Sequence, residues 1–219
     1  MILATYGCAR AANATDAESL ADSYGAWTGI RSNHVLSSTG SFAGSDGSSR
    51  SISTKDDREL LLALRARADL IVVDAATARL EQYRALKSKT ALAIFSLSGD
   101  FSDIPAVAGS ETPIYLFTGN SSPLLPDNNC AVVVPISPEP FESFLEWANS
   151  LSFYSILLEA GPTLTTKAFK ANVVRQSAIT RTGPSANSDP MQLINPFDSN
   201  AQLVSFAQAD GASFSLWNH

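Results

Sequence analysis

The chain has little of what most metal, redox and nucleic-acid chemistry is built from. Its 219 residues hold two cysteines and two histidines. Cys8 and Cys130 stand too far apart for a C-x-x-C pair, and with His34 and His219 alone beside them a zinc site would rest on carboxylates, which structural zinc seldom takes. No metal is expected. Basic charge is short too: 15 Lys and Arg against 21 Asp and Glu give a net charge of -6, which leaves no excess to hold a phosphate backbone and points away from nucleic acid. Met1 to Ala12 lacks the basic start and apolar stretch of a secretory signal, and no run approaches the roughly 20 apolar residues of a membrane span. No membrane partner is expected, and the cytoplasm is the default location. G-x-G-x-x-G and G-x-x-x-x-G-K-[ST] are both missing, as is the G-x-S-x-G turn of a serine hydrolase, so ordinary dinucleotide, P-loop and hydrolase fingerprints drop out.

What remains is a chain with 45% hydrophobic residues, ample for a sizeable core. It divides into an N-terminal extension, residues 1–29, that packs on a single domain, residues 30–219. Asn13 to Gly29 reads as a short acidic helix and a turn, with Leu20, Tyr24 and Trp27 as anchors. Ile30 to Ser37 is a candidate strand, and Thr39 to Ser51 has the Gly and Ser content of a loop. Ser53 and Thr54 stand three positions ahead of Asp56 and Asp57, and Leu60, Leu61, Leu64 and Ala68 recur at helical spacing. Asp69 to Asp74 is then a continuously apolar strand of the sort buried on both faces of a parallel sheet. Strands follow at Ala91 to Phe95, Pro113 to Phe117, Ala131 to Pro135 and Ser155 to Glu159. A helix opens over Ser137 to Pro140, and Ala160 to Leu164 turns into a second that runs up to about Lys170. Val173 to Thr180 reads as an edge or antiparallel strand. Gln202 to Gln208 and Ser213 to Trp217 read as a hairpin about Ala209-Asp210-Gly211. Gly183 to Asp198 is irregular. The alternation defines an α/β domain with a mainly parallel sheet finished by an antiparallel hairpin.

In such a sheet, ligands collect at the carboxyl ends of strands, where loops meet helix amino termini. Ser37 to Gly40, Asp74 to Thr77 and Glu159 to Thr163 are the candidate places. Amides at the helix start beyond Gly161 can hold an anion, or Gly161-Pro162 can be a plain turn. Glu159, at a strand end, must be solvated, bonded to amides or engaged with ligand. Arg58 and Arg65 share one side of their helix, where they can reach a phosphate or face solvent. His34 reads as a partly buried side chain rather than a base, and Cys130 as a small buried apolar residue.

The stretches Asn33 to Gly44, Asp46 to Arg50, Asp57-Arg58 and Leu64 to Val73, with Glu159-Ala160-Gly161-Pro162-Thr163-Leu164 and Asp210 to Phe214, resemble the reductase domain of the riboflavin-biosynthesis deaminase/reductase. They resemble still more the stand-alone pyrimidine reductase-like proteins. The resemblance covers the chain from about Leu20 onward. It implies a dihydrofolate reductase-like three-layer α/β/α sandwich and a homodimer. The implied reaction reduces a phosphoribosylamino-pyrimidine, 5-amino-6-(5-phosphoribosylamino)uracil, with NADPH or, failing that, NADH. On the same basis Asn33, Ser37, Arg58, Arg65 and Glu159 are the implied substrate contacts. Thr77, Ser96, Gly161 and Thr163 are the implied cofactor contacts.

Four positions depart from the family pattern. Thr39 stands where a carboxylate is usual, Asp74 opens what is elsewhere a glycine-rich turn, Ala160 replaces a glycine, and Leu97 lies in a strand end that often carries an arginine. All four weaken dinucleotide or phosphate binding, so a second reading stands beside the first: a catalytically degenerate relative that binds a ligand or a protein partner. An enzyme would keep Asp74 directed away from Thr77 and Gly161, whereas the degenerate relative would have Asp74, Leu97 or Ala160 filling that place. A sheet-edge strand around Val173 to Ile179 would be the natural dimer face.

Overall fold

The structure, a computed structural model, describes residues 2–7, 14–85, 90–127, 130–137, 140–183, 193–209 and 211–219. Cys8, Asp210 and residues 184–192 of the irregular segment lie outside the described residues. The chain forms two compact units, Met1–Arg67 with Val174–His219, and Ala68–Val173.

In the first unit, β1 (Ile2–Gly7) pairs antiparallel with β9 (Gln202–Ala209), and β9 forms the expected hairpin with β10 (Ala212–Asn218). β10 lies antiparallel to β8 (Val174–Thr182), which in turn runs parallel to β2 (Gly29–Leu36). Of the two alternatives for Val173 to Thr180, the antiparallel strand holds and the edge strand does not: β8 is an interior strand with both edges paired, which removes it as a sheet-edge dimer face. Its burial pattern fits this place, for Val174, Ser177, Ala178, Ile179, Thr180 and Thr182 are all buried. The N-terminal helix α1 (Ala17–Tyr24) starts at a capping box between Asp16 and Ser19 and buries Leu20 and Tyr24. Helix α2 (Lys55–Arg65) starts at Thr54, whose hydroxyl accepts from the Asp57 amide. Beyond α2, Arg67 donates to Glu18 and Asp22 of α1 at 2.6 Å each, tying the two helices together.

Arg31 is fully buried on β2. Its guanidinium donates to Gln176 Oε1 at 2.6 and 3.0 Å and to the carbonyls of Tyr24 and Gly25 at 3.1 and 3.2 Å, and it stacks 4.1 Å from the centroid of the Trp27 ring. The cation thus closes the carbonyl end of α1, where the helix dipole favours positive charge. Burial lowers its pKa to about 10. His34 is also buried, edge-on to Phe42 and tilted against Phe197, and burial holds its pKa down to about 3. Its burial agrees with the partly buried side chain expected from the sequence.

In the second unit, β3 (Leu70–Asp74) lies parallel between β7 (Ser155–Leu158) and β4 (Ala91–Phe95). The parallel series continues through β5 (Ile114–Thr118) to β6 (Ala131–Pro135). Leu70 to Val73 are at most 1% exposed, as an uninterrupted β-branched run between two parallel neighbours requires. Helix α5 (Pro140–Ser150) brings Phe144 and Trp147 edge-on to Phe117, which stacks on Phe95 at 4.7 Å. Two short helices, α3 (Ala75–Leu80) and α4 (Pro105–Gly109), fall in stretches to which the sequence assigns no helix, and α6 (Pro162–Lys170) follows β7 as expected. Cys130 is half-buried rather than buried. Among the described residues, no helix is long and apolar enough to cross a membrane.

Candidate functional site

In the second unit β3 passes into α3 without a loop, so Asp74 is both the last strand residue and the cap of the helix. Its Oδ1 accepts from the Thr77 amide at 2.8 Å. Its Oδ2 accepts from the Thr77 hydroxyl at 2.9 Å and, from the end of the neighbouring strand β7, from the Gly161 amide at 2.6 Å. Gly161 caps α6 with extended backbone, φ -65° and ψ 176°, which any residue adopts. Glycine is required here by space: a Cβ would stand 2.9 Å from Thr77 Oγ1 and 3.3 Å from Asp74 Oδ2. Thr77 and Gly161, both cofactor candidates from the sequence, are thus brought together, with a carboxylate between their donors.

The other candidates of this unit are spread around that centre. Glu159 is buried, and the Tyr83 hydroxyl donates to its Oε2 at 2.5 Å. Ala160 is buried, its carbonyl accepting from the Thr165 hydroxyl at 2.9 Å. Ser96 is spent on its own turn, its hydroxyl accepting from the Gly99 amide at 3.1 Å and donating to the Asp100 carbonyl at 3.3 Å. Leu97 is 71% exposed and fills nothing, and Thr163 is exposed.

Two neighbours of these candidates escaped sequence reasoning. Tyr83 belongs to the turn after α3, and Arg79 on α3 reaches the loop after β4. There Arg79 donates to the carbonyls of Ser102 and Asp100 at 3.2 and 3.3 Å and stands 3.6 Å from the Asp100 carboxylate. A positive group is therefore present beside the Ser96 to Gly99 stretch, supplied by a helix instead of the strand end. The signal that would have found Arg79 is the helical spacing from Ala75 to Leu80 behind Asp74 as a capping residue.

In the first unit, Asn33 is half-buried on β2 opposite Ala178. Ser37 holds its loop together, its hydroxyl accepting from the amides of Ser41 and Thr39 at 3.1 and 3.3 Å. Arg58 is exposed and donates to the Ser53 carbonyl at 2.8 Å, while Arg65 is half-buried at the last turn of α2. Next to Arg58, Asp57 is buried and accepts from the Ser53 hydroxyl at 2.5 Å, and desolvation raises its pKa. A further set joins Ser177, His219 and Asp198. Ser177 Oγ lies 2.9 Å from His219 Nε2, and Nδ1 of the same ring lies 2.9 Å from Asp198 Oδ2. The order is that of a serine hydrolase, but Ser177 has no exposed surface and its hydroxyl also accepts from Asn195 at 2.7 Å, so the set pins the 195–198 segment onto β8.

No family model matches the sequence, and no curated protein matches it. Solved structures do match its fold. A pyrimidine reductase-like protein from Corynebacterium diphtheriae superposes with a TM-score of 0.68 at 19% identity, covering 93% of this chain and 98% of that one. A diaminohydroxyphosphoribosylaminopyrimidine deaminase/5-amino-6-(5-phosphoribosylamino)uracil reductase from Thermotoga maritima gives 0.70 at 13% identity over 88% of this chain. This chain spans 56% of that bifunctional protein. A riboflavin biosynthesis reductase from Saccharomyces cerevisiae gives 0.60 at 13% identity, covering 88% and 90% of the two chains. The fold is the dihydrofolate reductase-like α/β sandwich of these reductases, with a mainly parallel sheet and a C-terminal antiparallel hairpin.

NADPH is the cofactor that the sequence resemblance implies. The amides of Gly161 and Thr77 are the right kind of donors for a diphosphate, but both already hold Asp74, and Arg79 already faces Asp100. As they stand, these residues do not fit a dinucleotide diphosphate.

Proposed function

We propose that this chain is a small-molecule-binding relative of the pyrimidine reductases that does not take up a nicotinamide dinucleotide. The observation that carries this reading is the Asp74 carboxylate at 2.6 Å from the Gly161 amide. A diphosphate drawn to those amides would meet a like charge and find its donors engaged, so the fold's binding energy there is spent internally. The ligand class is a phosphorylated pyrimidine, the substrate type of the resembling family. Asn33, Ser37, Arg58 and Arg65 are its candidate contacts, all in the first unit. Hydride transfer from NADPH to 5-amino-6-(5-phosphoribosylamino)uracil is the second reading. It is favoured by the convergence of the Thr77 and Gly161 amides on one carboxylate, a donor set that an anion can use.

Fluorescence titration of the purified protein with NADPH, and separately with NADH, tests the proposal. No binding of either at millimolar concentration is expected. Micromolar binding of either would overturn it in favour of the reductase. A phosphorylated pyrimidine nucleotide, followed by thermal shift, should stabilise the protein, and Arg58→Ala with Arg65→Ala should abolish that shift.

A further inference from the structure

The disagreement between the cofactor the sequence resemblance implies and the residue at the end of β3 carries one step more. We infer that Asp74 is a built-in anion: its carboxylate takes the place of a ligand diphosphate on the Gly161 and Thr77 amides and sets what the chain can bind there. This deepens the proposed function and rests on it.

Geometry fixes Asp74 in that role. The strand behind it, Leu70 to Val73, is fully packed, so its backbone has no slack to swing the side chain elsewhere. The Thr77 amide and hydroxyl hold the two carboxylate oxygens at 2.8 and 2.9 Å, which locks the side-chain rotamer and aims Oδ2 at Gly161. The Gly161 amide, at the start of a nine-residue helix and without a side chain of its own, then donates its 2.6 Å bond to that oxygen. Charge-assisted bonds of this length are the strong ones, and an entering phosphate would have to displace the carboxylate and also lie beside it.

The test uses the whole chain with inorganic pyrophosphate as probe. Asp74→Ser keeps an oxygen that can cap Thr77 but is too short to reach Gly161. Asp74→Asn keeps the shape and the cap, loses the charge, and turns an amide group toward Gly161. Glu111→Gln, an exposed position, controls for net charge. Calorimetry should find no pyrophosphate binding in wild type or Glu111→Gln, and a gain of at least about tenfold in affinity in Asp74→Ser. The gain should come with a shift of the Gly161 and Thr77 amide resonances. If Asp74→Ser and Asp74→Asn both fold, by circular dichroism and melting temperature, yet ignore pyrophosphate as wild type does, the inference is overturned. It is equally overturned if wild type binds pyrophosphate with a shift at Gly161. NADPH binding to wild type that leaves the Gly161 amide unmoved would sink the proposed function and leave this inference standing. Unresponsive variants in a chain whose wild type ignores NADPH would do the reverse.

Discussion

Asp74 Oδ2 and the Gly161 amide meet at 2.6 Å where the adjacent parallel strands β3 and β7 end, joining two helix starts through one carboxylate. The space around this bond is as exacting as the bond itself. Gly161→Ala would place a methyl 2.9 Å from Thr77 Oγ1 and 3.3 Å from Asp74 Oδ2, closer than unstrained contacts allow. A loss of about 1–3 kcal/mol is expected from such overpacking, read as a lower urea midpoint at unchanged slope. An unaltered midpoint would show that the two strand ends are not held as described.

Arg31 offers a second test, in the first unit. Its guanidinium meets one amide oxygen, two carbonyls of the α1 terminus and the Trp27 face, a set that needs a planar fork. Arg31→Lys should therefore destabilise the protein by roughly 1–3 kcal/mol despite keeping the charge, because one ammonium cannot serve all these partners. Chemical denaturation would measure it, and a lysine variant as stable as wild type would refute the fork argument.

His34 sets a pH dependence. Burial lowers its pKa from 6.5 to about 3 in the folded chain, so below the unfolded value the unfolded state binds a proton that the folded state refuses. Its contribution to stability is complete above pH about 6.5 and is lost as pH falls toward about 3, at up to about 1.4 kcal/mol per pH unit. Asp57, whose pKa is raised by burial, acts with the opposite sign at pH above its unfolded value. Comparing wild type with His34→Phe separates the two. The difference in unfolding free energy between the two proteins should shift steadily in favour of the variant as the solution is acidified, and a pH-independent difference would contradict the buried neutral ring.

Tyr83→Phe removes the 2.5 Å bond to Glu159 and leaves the ring in place. A cost of about 1 kcal/mol is expected, since Glu159 is buried and a lost partner exposes its desolvation. The companion Glu159→Gln, which can still accept from Tyr83, should cost less. The reverse order, measured by thermal unfolding, would place the Glu159 charge, rather than this bond, in control.

By itself the sequence determined the ladder of elements. The uninterrupted apolar run Leu70 to Val73 can only be a strand covered on both faces, and Thr54 with the Leu60 and Leu64 spacing can only start and bury a helix, because these signals are local and periodic. It also marked the positions where the reductase pattern breaks, Asp74 among them. Tertiary structure alone decided what those positions do. Whether Asp74 repels a ligand or replaces it depends on the Gly161 amide, which stands far along the chain and arrives only because β7 pairs with β3. Val173 to Thr180 looks like an edge until β2 and β10 claim both of its sides. Arg31 falls in the candidate strand Ile30 to Ser37 with no partner legible beside it, and only packing brings Trp27, Gln176 and the end of α1 around it. Pairing between distant segments leaves no periodic trace, so the partner of a polar side chain is fixed by topology and not by its neighbours in sequence.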